Sequence, residues 1–253
     1  MWHIHSYDEL PSTQTLARDL LNHDDAHHGD VFSALHQTAG RGQYQTRTWL
    51  DEPGANLLLS IVLTEVPSQT GDLMQFIAGL AALRTIRQIL LRDVPDFDVQ
   101  RVRLKWPNDI LVDMQKVSGI LSEALWSGST LKGVVLGIGM NVNQHRFPPE
   151  VVGRAISIRN VIGSALPIDV VRDELLTQLQ KNLVAYSERA RLISDLRNEL
   201  EWLRELGTIT VSDSKGDTRH SGIYRDISDN GAIIIEKRDG SKETLHTVSI
   251  LLP

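Results

Sequence analysis

The side chains best equipped for chemistry fall in two short segments. The first, Gln37-Thr38-Ala39-Gly40-Arg41-Gly42-Gln43-Tyr44-Gln45-Thr46-Arg47-Thr48-Trp49, sets two arginines among glycines and small polar residues. Glycines 40 and 42 let the backbone approach a ligand closely, while Arg41 and Arg47 offer forked donors that match phosphate or carboxylate oxygens. This is the make-up of an anion-binding loop, although a Gly-Arg-Gly triplet by itself also suits a polar surface loop. The second segment, Lys105-Trp106-Pro107-Asn108-Asp109-Ile110 followed by Lys116-Val117-Ser118-Gly119-Ile120-Leu121, gathers two lysines and an aspartate. Its plainer reading is a β-hairpin with a buried tryptophan and solvated lysines. Asn141 and Asn143 are two apart, so on a strand they share a face. His23, Asp24, Asp25, His27, His28 and Asp30 resemble a metal site by composition, but their spacing matches no standard zinc motif and reads as a charged loop. The chain has no cysteine, so disulfides, thiolate metal sites and a thiol nucleophile are excluded.

The elements that must carry these groups follow from hydrophobic periodicity. Trp2 to Tyr7 reads as an opening strand, and Ser12 or Thr13 caps a helix with the apolar stripe Leu16, Leu20 and Leu21. A strand over Val31 to Gln37 leads into a long polar loop, Thr38 to Asn56, and then Leu57 to Leu63 reads as a fully buried strand. Leu73, Phe76, Ile77, Leu80, Leu83 and Leu90 recur at helical spacing, which predicts a covering helix over Asp72 to Leu91. Further strands are expected at Val102 to Trp106, Ile110 to Val112, Ile120 to Leu125 and Val134 to Val142, placing most of the sheet between Trp2 and Asn143. Two helical stripes follow, one of Val171, Leu175, Leu179, Leu183, Tyr186 and Ala190, the other of Ile193, Leu196, Leu200 and Leu203. Beyond Gly207 the pattern changes to short strands, Ile209 to Val211, Ser221 to Tyr224, Ala232 to Glu236 and Thr244 to Ile250, around turns at Lys215-Gly216, Asn230-Gly231 and Asp239-Gly240. No flexible linker precedes them, so a small β-barrel should pack against the larger domain.

A chain of 253 residues, 41% hydrophobic and 23% charged, suits an ordinary globular protein with a large core and a small added domain. A formal net charge of -6 gives no global attraction for nucleic acid. Met1 to His5 lack a basic region followed by an apolar stretch, and the longest apolar run, Leu57 to Leu63, is too short for a bilayer. A cytoplasmic location, with no membrane and no nucleic acid as partner, is therefore expected.

Together the two segments resemble the biotin protein ligase family, whose pattern pairs a Gly-Arg-Gly loop with a Lys-Trp-Pro-Asn-Asp strand end and a later lysine before Gly-Ile-Leu. Ser12-Thr13-Gln14, Gly54-Ala55-Asn56-Leu57 and Gly137-Ile138-Gly139-Met140-Asn141-Val142-Asn143 extend the resemblance over nearly the whole chain. It implies an α/β (α+β) catalytic domain like class II aminoacyl-tRNA synthetases, residues 1–206, with a mixed sheet, followed by an SH3-like β-barrel, residues 207–253. The implied reaction is ATP-dependent conversion of biotin to biotinyl-5'-AMP, then transfer to a lysine of biotin carboxyl carrier protein. By the same resemblance Ser12, Thr13, Gln14, Gln37, Gly40, Arg41, Gly42, Gln43 and Lys116 bind biotin. Arg41, Arg47, Trp49, Lys105, Asn108, Lys116, Asn141 and Asn143 bind ATP. Arg41 and Lys116 serve the reacting centre, and Asp109 orients the attacking amine or takes its proton. Magnesium is expected to arrive with ATP, with no dedicated protein site.

The chain departs from the family pattern where Gln43 stands in place of an arginine and the loop before Arg47 is one residue longer. There is no room before Trp2 for the winged helix-turn-helix of the bifunctional ligase-repressors, so no DNA-binding activity is expected. Lipoate or octanoate ligases and transferases of the same fold are the enzymatic alternative, and a regulator without turnover the non-enzymatic one. Monomer and homodimer both remain open.

Overall fold

The computed structural model describes residues 1–253 except 44–47, 214–217, 247 and 253, and only the backbone of 68 and 69. In chain order the elements are β1 (His3–Leu10), α1 (Thr13–Asn22), β2 (Asp30–Gln37), β3 (Leu57–Leu63), α2 (Met74–Asp93), β4 (Val102–Lys105), β5 (Asp109–Val112), β6 (Gln115–Ser127) and β7 (Thr130–Met140). They continue with α3 (Ile158–Ile162), α4 (Ile168–Ala185), α5 (Arg189–Leu200), β8 (Thr208–Asp213), β9 (Arg219–Ile227), β10 (Ile233–Glu236), β11 (Lys242–Leu245) and β12 (Val248–Leu251). Seven strands form one sheet in the order β1-β2-β3-β7-β6-β5-β4, and five form a second in the order β11-β10-β9-β8-β12. The first sheet is mixed because β1 runs parallel to β2 while its other neighbours pair antiparallel. This agrees with the expected α/β architecture, and the antiparallel C-terminal sheet is consistent with an SH3-like domain.

Strand alternation divides the seven-stranded sheet into two unlike faces. On one, Leu57, Leu59, Ile61, Val134, Leu136 and Ile138 pack under Phe76, Ile77, Leu80 and Leu83 of α2, with α4 and α5 closing the layer. Residues Thr70–Asp93 reach a mean hydropathy of 1.2, and 78% of that window is buried inside the protein, so the core accounts for the helix's apolar character. On the opposite face Phe32, Val62, Leu125 and Val135 meet Ala17 and Leu21 of α1. Here α1 covers only one end. Toward the other end the same alternation presents Ser60, Gly137, Gly139 and Gly119, leaving a shallow trough on the sheet.

The second sheet is tied down at named points. Buried Trp106 donates from Nε1 to Gly231 O at 2.9 Å, and Arg197 Nη2 of α5 donates to Ile227 O of β9 at 3.0 Å. Gly231 adopts φ +81°, and a Cβ there would meet Phe76 Cε2 at 2.4 Å, so the turn fits against α2 only without a side chain. Between α2, α4 and α5, Arg84 donates to Tyr186 and Asp195, and Tyr186 donates to Asp195 at 2.6 Å. Burial, then the neighbouring Asp195 carboxylate, push the Tyr186 phenol up to about 12.

Several boundaries differ from the sequence expectation. The stripe running to Ala190 breaks at Tyr186, which caps α4, and Ala190 falls in the first turn of α5. The single strand expected over Thr244 to Ile250 is two, β11 and β12, on opposite edges of the second sheet. The strand expected to reach Trp106 stops at Lys105, and the chain turns over Trp106 to Asn108. α3 has five residues, too few to show a helical period. The expected Lys215-Gly216 turn lies outside the described residues.

The His-rich segment is organised around one carboxylate. Asp30 takes the His27 amide at 2.8 Å and lies 3.0 Å from His5 Nε2, with His3 and His27 rings at 3.8 Å. Burial pushes the Asp30 carboxyl up, but the His27 amide and the His5 ring more than offset it, holding it below the ordinary carboxylate range.

Candidate active site

The trough becomes a cleft because α1, the loop after β2 and the β5–β6 hairpin wall it in. Ser12 caps α1, its hydroxyl taking the Thr15 amide at 3.4 Å, so the helix begins directly at the cleft. A free first-turn amide, Thr13 N, then donates to Gln37 Oε1 at 2.8 Å. With Oε1 occupied, Gln37 can turn its amide N-H groups to a ligand. Thr13 Oγ1 lies 2.9 Å from Ser60 Oγ, and Ser60 Oγ lies 3.0 Å from Gln14 Oε1. One end of the cleft is thus a closed set of hydroxyls and carboxamides.

The loop carrying Arg41 is pinned at its base, where Trp49 N donates to Gly40 O at 3.0 Å and Arg41 bridges to Thr48. That pairing swings Trp49 across the sheet. A Cβ on Gly139 would lie 2.7 Å from Trp49 Cε2, so the indole rests directly on this bare strand position. Likewise a Cβ on Gly137 would come within 2.5 Å of Gln14 Oε1. Trp49 Nε1 is buried with no hydrogen-bond partner among the described residues, leaving a donor for an acceptor in the cleft.

Cations border the cleft at two places, Lys116 beside Gly119 and Arg41 beside Gln14 through Glu123. Lys116 Nζ sits 2.6 Å from Asp109 Oδ1 and 5.5 Å from the centre of the Trp49 ring. Lys105 Nζ approaches the other Asp109 oxygen at 3.6 Å. Arg41 forms a bidentate pair with Glu123, at 3.0 and 2.9 Å. Asn108 lines the cleft and donates to Ile120 O at 2.8 Å, which locks the turn after β4 against β6. A second, open hollow continues past Arg41, Gly42 and Gln43 along Thr15, Arg18, Gln75, Ser122 and Glu123.

The structure therefore brings Ser12, Thr13, Gln14, Gln37, Arg41, Gly42, Gln43, Trp49, Asn108 and Lys116 to one cleft. Gly40 borders it through the adjoining hollow, and Lys105 and Asp109 stand behind Lys116. Asn141 and Asn143 are not brought there. Both lie beyond the end of β7, where strand parity no longer applies, and both bond backbone: Asn141 donates to Lys116 O and Ile156 O, and Asn143 exchanges bonds with Leu166. Arg47, with Tyr44, falls outside the described residues. Sequence reasoning passed over Ser60 and Glu123. A lone serine inside the apolar run Leu57 to Leu63 was the available signal for the first, since a fully buried strand does not otherwise need a hydroxyl. Glu123 carried no such signal.

Residues 7–141 match the model of the Biotin/lipoate A/B protein ligase family. Among curated relatives, the Biotin--[acetyl-CoA-carboxylase] ligase of Mycobacterium tuberculosis is 31% identical over 211 residues, covering 82% of this chain and 73% of that one. The Bifunctional ligase/repressor BirA of Bacillus subtilis is 29% identical over 244 residues, covering 95% and 71%. Among solved structures, the biotin protein ligase from Aquifex aeolicus in complex with biotin and ATP superposes over the whole of both chains with a TM-score of 0.79 at 24% identity, which shows a common fold.

Proposed function

Because this chain belongs to the biotin/lipoate A/B protein ligase family, we propose that it activates biotin with ATP and transfers the biotinyl group to a lysine of a carboxylase carrier protein. The observation that carries the reading is the polarity of one cleft, with hydroxyls and carboxamides at the end under α1, Arg41 held beside them on Glu123, and Lys116 at the other end. A ureido ring offers one carbonyl acceptor and two N-H donors, the complement of Gln37, Ser12 and Thr13. Lipoate and octanoate offer no such groups at their far ends and would strand buried polar atoms, so the cleft discriminates against them.

In the first half-reaction the biotin carboxylate attacks the α-phosphorus of ATP and pyrophosphate departs. No base is required, because the carboxyl group is already ionised at neutral pH. The protein's task is to hold two anions in line and to stabilise charge on the transferring phosphorus. Lys116 and Arg41 supply that charge, and Trp49 Nε1 adds a donor beside them. Asp109, held between Lys116 and Lys105, acts by fixing the Lys116 ammonium in place. Magnesium supplies countercharge to the triphosphate; among the described residues no group of three acidic or histidine side chains offers to hold it alone. In the second half-reaction a neutral lysine amine attacks the mixed anhydride and AMP leaves.

The test is transfer itself. Incubated with ATP, biotin and a biotin carboxyl carrier domain, the protein is expected to raise the carrier's mass by one biotinyl group at a single lysine. Transfer of lipoate or octanoate in its place would reassign the substrate.

A further inference from the structure

A continuous row of polar side chains runs along one wall of the cleft from Gln37 to Arg41. From Gln37 it passes to Thr13, then Ser60, then Gln14, whose Nε2 donates to Glu123 Oε2 at 2.8 Å and to Val135 O at 3.2 Å. Glu123 ends the row by receiving Arg41, with Nη1 on Oε2 at 3.0 Å and Nη2 on Oε1 at 2.9 Å. The direction of the row follows from counting hydroxyl protons, since Thr13 and Ser60 own one each. Gln37 Oε1 is already served by the Thr13 amide. Thr13 can therefore donate to Ser60, and Ser60 to Gln14 Oε1, so that every acceptor in the row has a donor. Gln14 is then held with its oxygen toward the hydroxyls and its nitrogen toward Glu123. The arrangement leaves a Thr13 lone pair for a ligand N-H at one end and fixes a carboxylate at the other.

Resting on the reading that the chain activates biotin, we propose that Glu123 is a positioning residue for that reaction, taking its orientation from the side chains that face the ureido ring and setting the direction in which Arg41 enters the reacting centre. Arg41 needs such a partner. Its backbone is pinned by the bridge to Thr48, but its long side chain has many rotamers to lose. A bidentate carboxylate selects one plane for the guanidinium. Glu123 belongs to β6, paired with Val135 of β7 in the middle of the sheet, so the reference it gives Arg41 is rigid. Its pair is also compatible with phosphate, because the guanidinium has five N-H donors and Glu123 engages one edge.

The chemistry of a single substitution separates this role from a structural one. In Glu123→Gln an oxygen at ε2 still accepts from Gln14 and Arg41 Nη1, but the new ε1 amide faces Arg41 Nη2 donor to donor. The biotin end is kept and the guanidinium is turned loose. Biotin-dependent ATP–pyrophosphate exchange is to be measured for the parent, Glu123→Gln, Arg41→Lys and the double variant, with biotin affinity taken separately by calorimetry. For Glu123→Gln the expected result is a kcat at least about ten-fold lower, with biotin affinity within about three-fold of the parent. The double variant is expected to be no slower than the slower single variant, because an ammonium in place of the guanidinium cannot use the bidentate contact. A smaller fall in kcat, or losses that multiply in the double variant, overturns the proposal. Glu123→Asp keeps the charge but falls one methylene short, so a comparable fall in kcat is expected from it; parent-like kcat in that variant would also overturn the proposal, should Glu123→Gln fail to fold. If the parent itself shows no biotin-dependent exchange, the functional reading fails instead.

Discussion

Placing one methyl group on Gly139 tests the geometry of the cleft floor. Its Cβ would stand 2.7, 2.8 and 2.9 Å from three atoms of the Trp49 ring, where carbon atoms ordinarily settle at about 3.5–4.0 Å. The indole must therefore retreat by roughly 1 Å. The retreat is easy for the free protein. Gly139 has no positive φ to be strained by a side chain, and Trp49 belongs to a loop rather than to the core cluster. The melting temperature of Gly139→Ala should stay close to the parent's. A ligand that needs the ring back over the sheet meets the overpacking, which costs about 1–3 kcal/mol. At about 1.4 kcal/mol per tenfold, that is roughly a 5- to 150-fold loss of affinity. Gly119→Ala is the comparison, because its Cβ would press first on the Lys116 ammonium at 2.9 Å and then on the ring at 3.1 Å, so it perturbs the cation as well as the indole. Calorimetric titration of both variants with biotin and with a non-hydrolysable ATP analogue, beside thermal melts, gives the ordering. Parent-like binding by Gly139→Ala would refute the seat assigned to Trp49.

Three further outcomes are expected. Lys116→Met should lower the rate of adenylate formation by about 10²-fold or more, without unfolding the chain, because one preorganised cation is lost from the reacting centre; single-turnover adenylate formation at near the parent rate would remove Lys116 from that centre. Thr13→Val keeps the shape and the amide bond to Gln37 but deletes the hydroxyl facing Ser60, so biotin affinity should fall by about 1–3 kcal/mol, and an unchanged dissociation constant would show that the row does not face the ligand. Asp30, held below the ordinary carboxylate range, lends stability that is present above the unfolded value of about 3.9 and lost as pH falls through the folded one; urea midpoints of Asp30→Asn between pH 6 and pH 3 should fall less steeply than the parent's, whereas parallel curves would contradict the assignment.

Much of the frame was legible because the core is strongly patterned. Leu57–Leu63 is a strand over the span its apolar run, interrupted only by Ser60, indicated, and Ser12 caps α1 as its place before an apolar stripe suggested. The trough was half legible: Gly137-Ile138-Gly139 shows an alternation, but which face it bares depends on the register of β7 with β3 and β6. Glu123 was hidden for a related reason. It is one glutamate in a long strand, and only pairing across the sheet places it between Gln14 and Arg41. Asn141 and Asn143 misled because their spacing suited a strand face, whereas β7 ends at Met140 and the following chain needs their side chains to satisfy backbone groups. α3 and the division into β11 and β12 escaped because segments of five and four residues are too short for periodicity to declare itself.

Biotin-dependent exchange of labelled pyrophosphate into ATP, run beside lipoate and octanoate at equal concentration, isolates the step in which this cleft joins a carboxylate to the α-phosphorus. Exchange that requires biotin, is not supported by either fatty acid and is lost in Lys116→Met is the expected result. Exchange with lipoate or octanoate in place of biotin, or none with any of the three, would contradict the assignment of the hydroxyl-and-carboxamide end to a ureido ring and of the cationic end to phosphoryl chemistry.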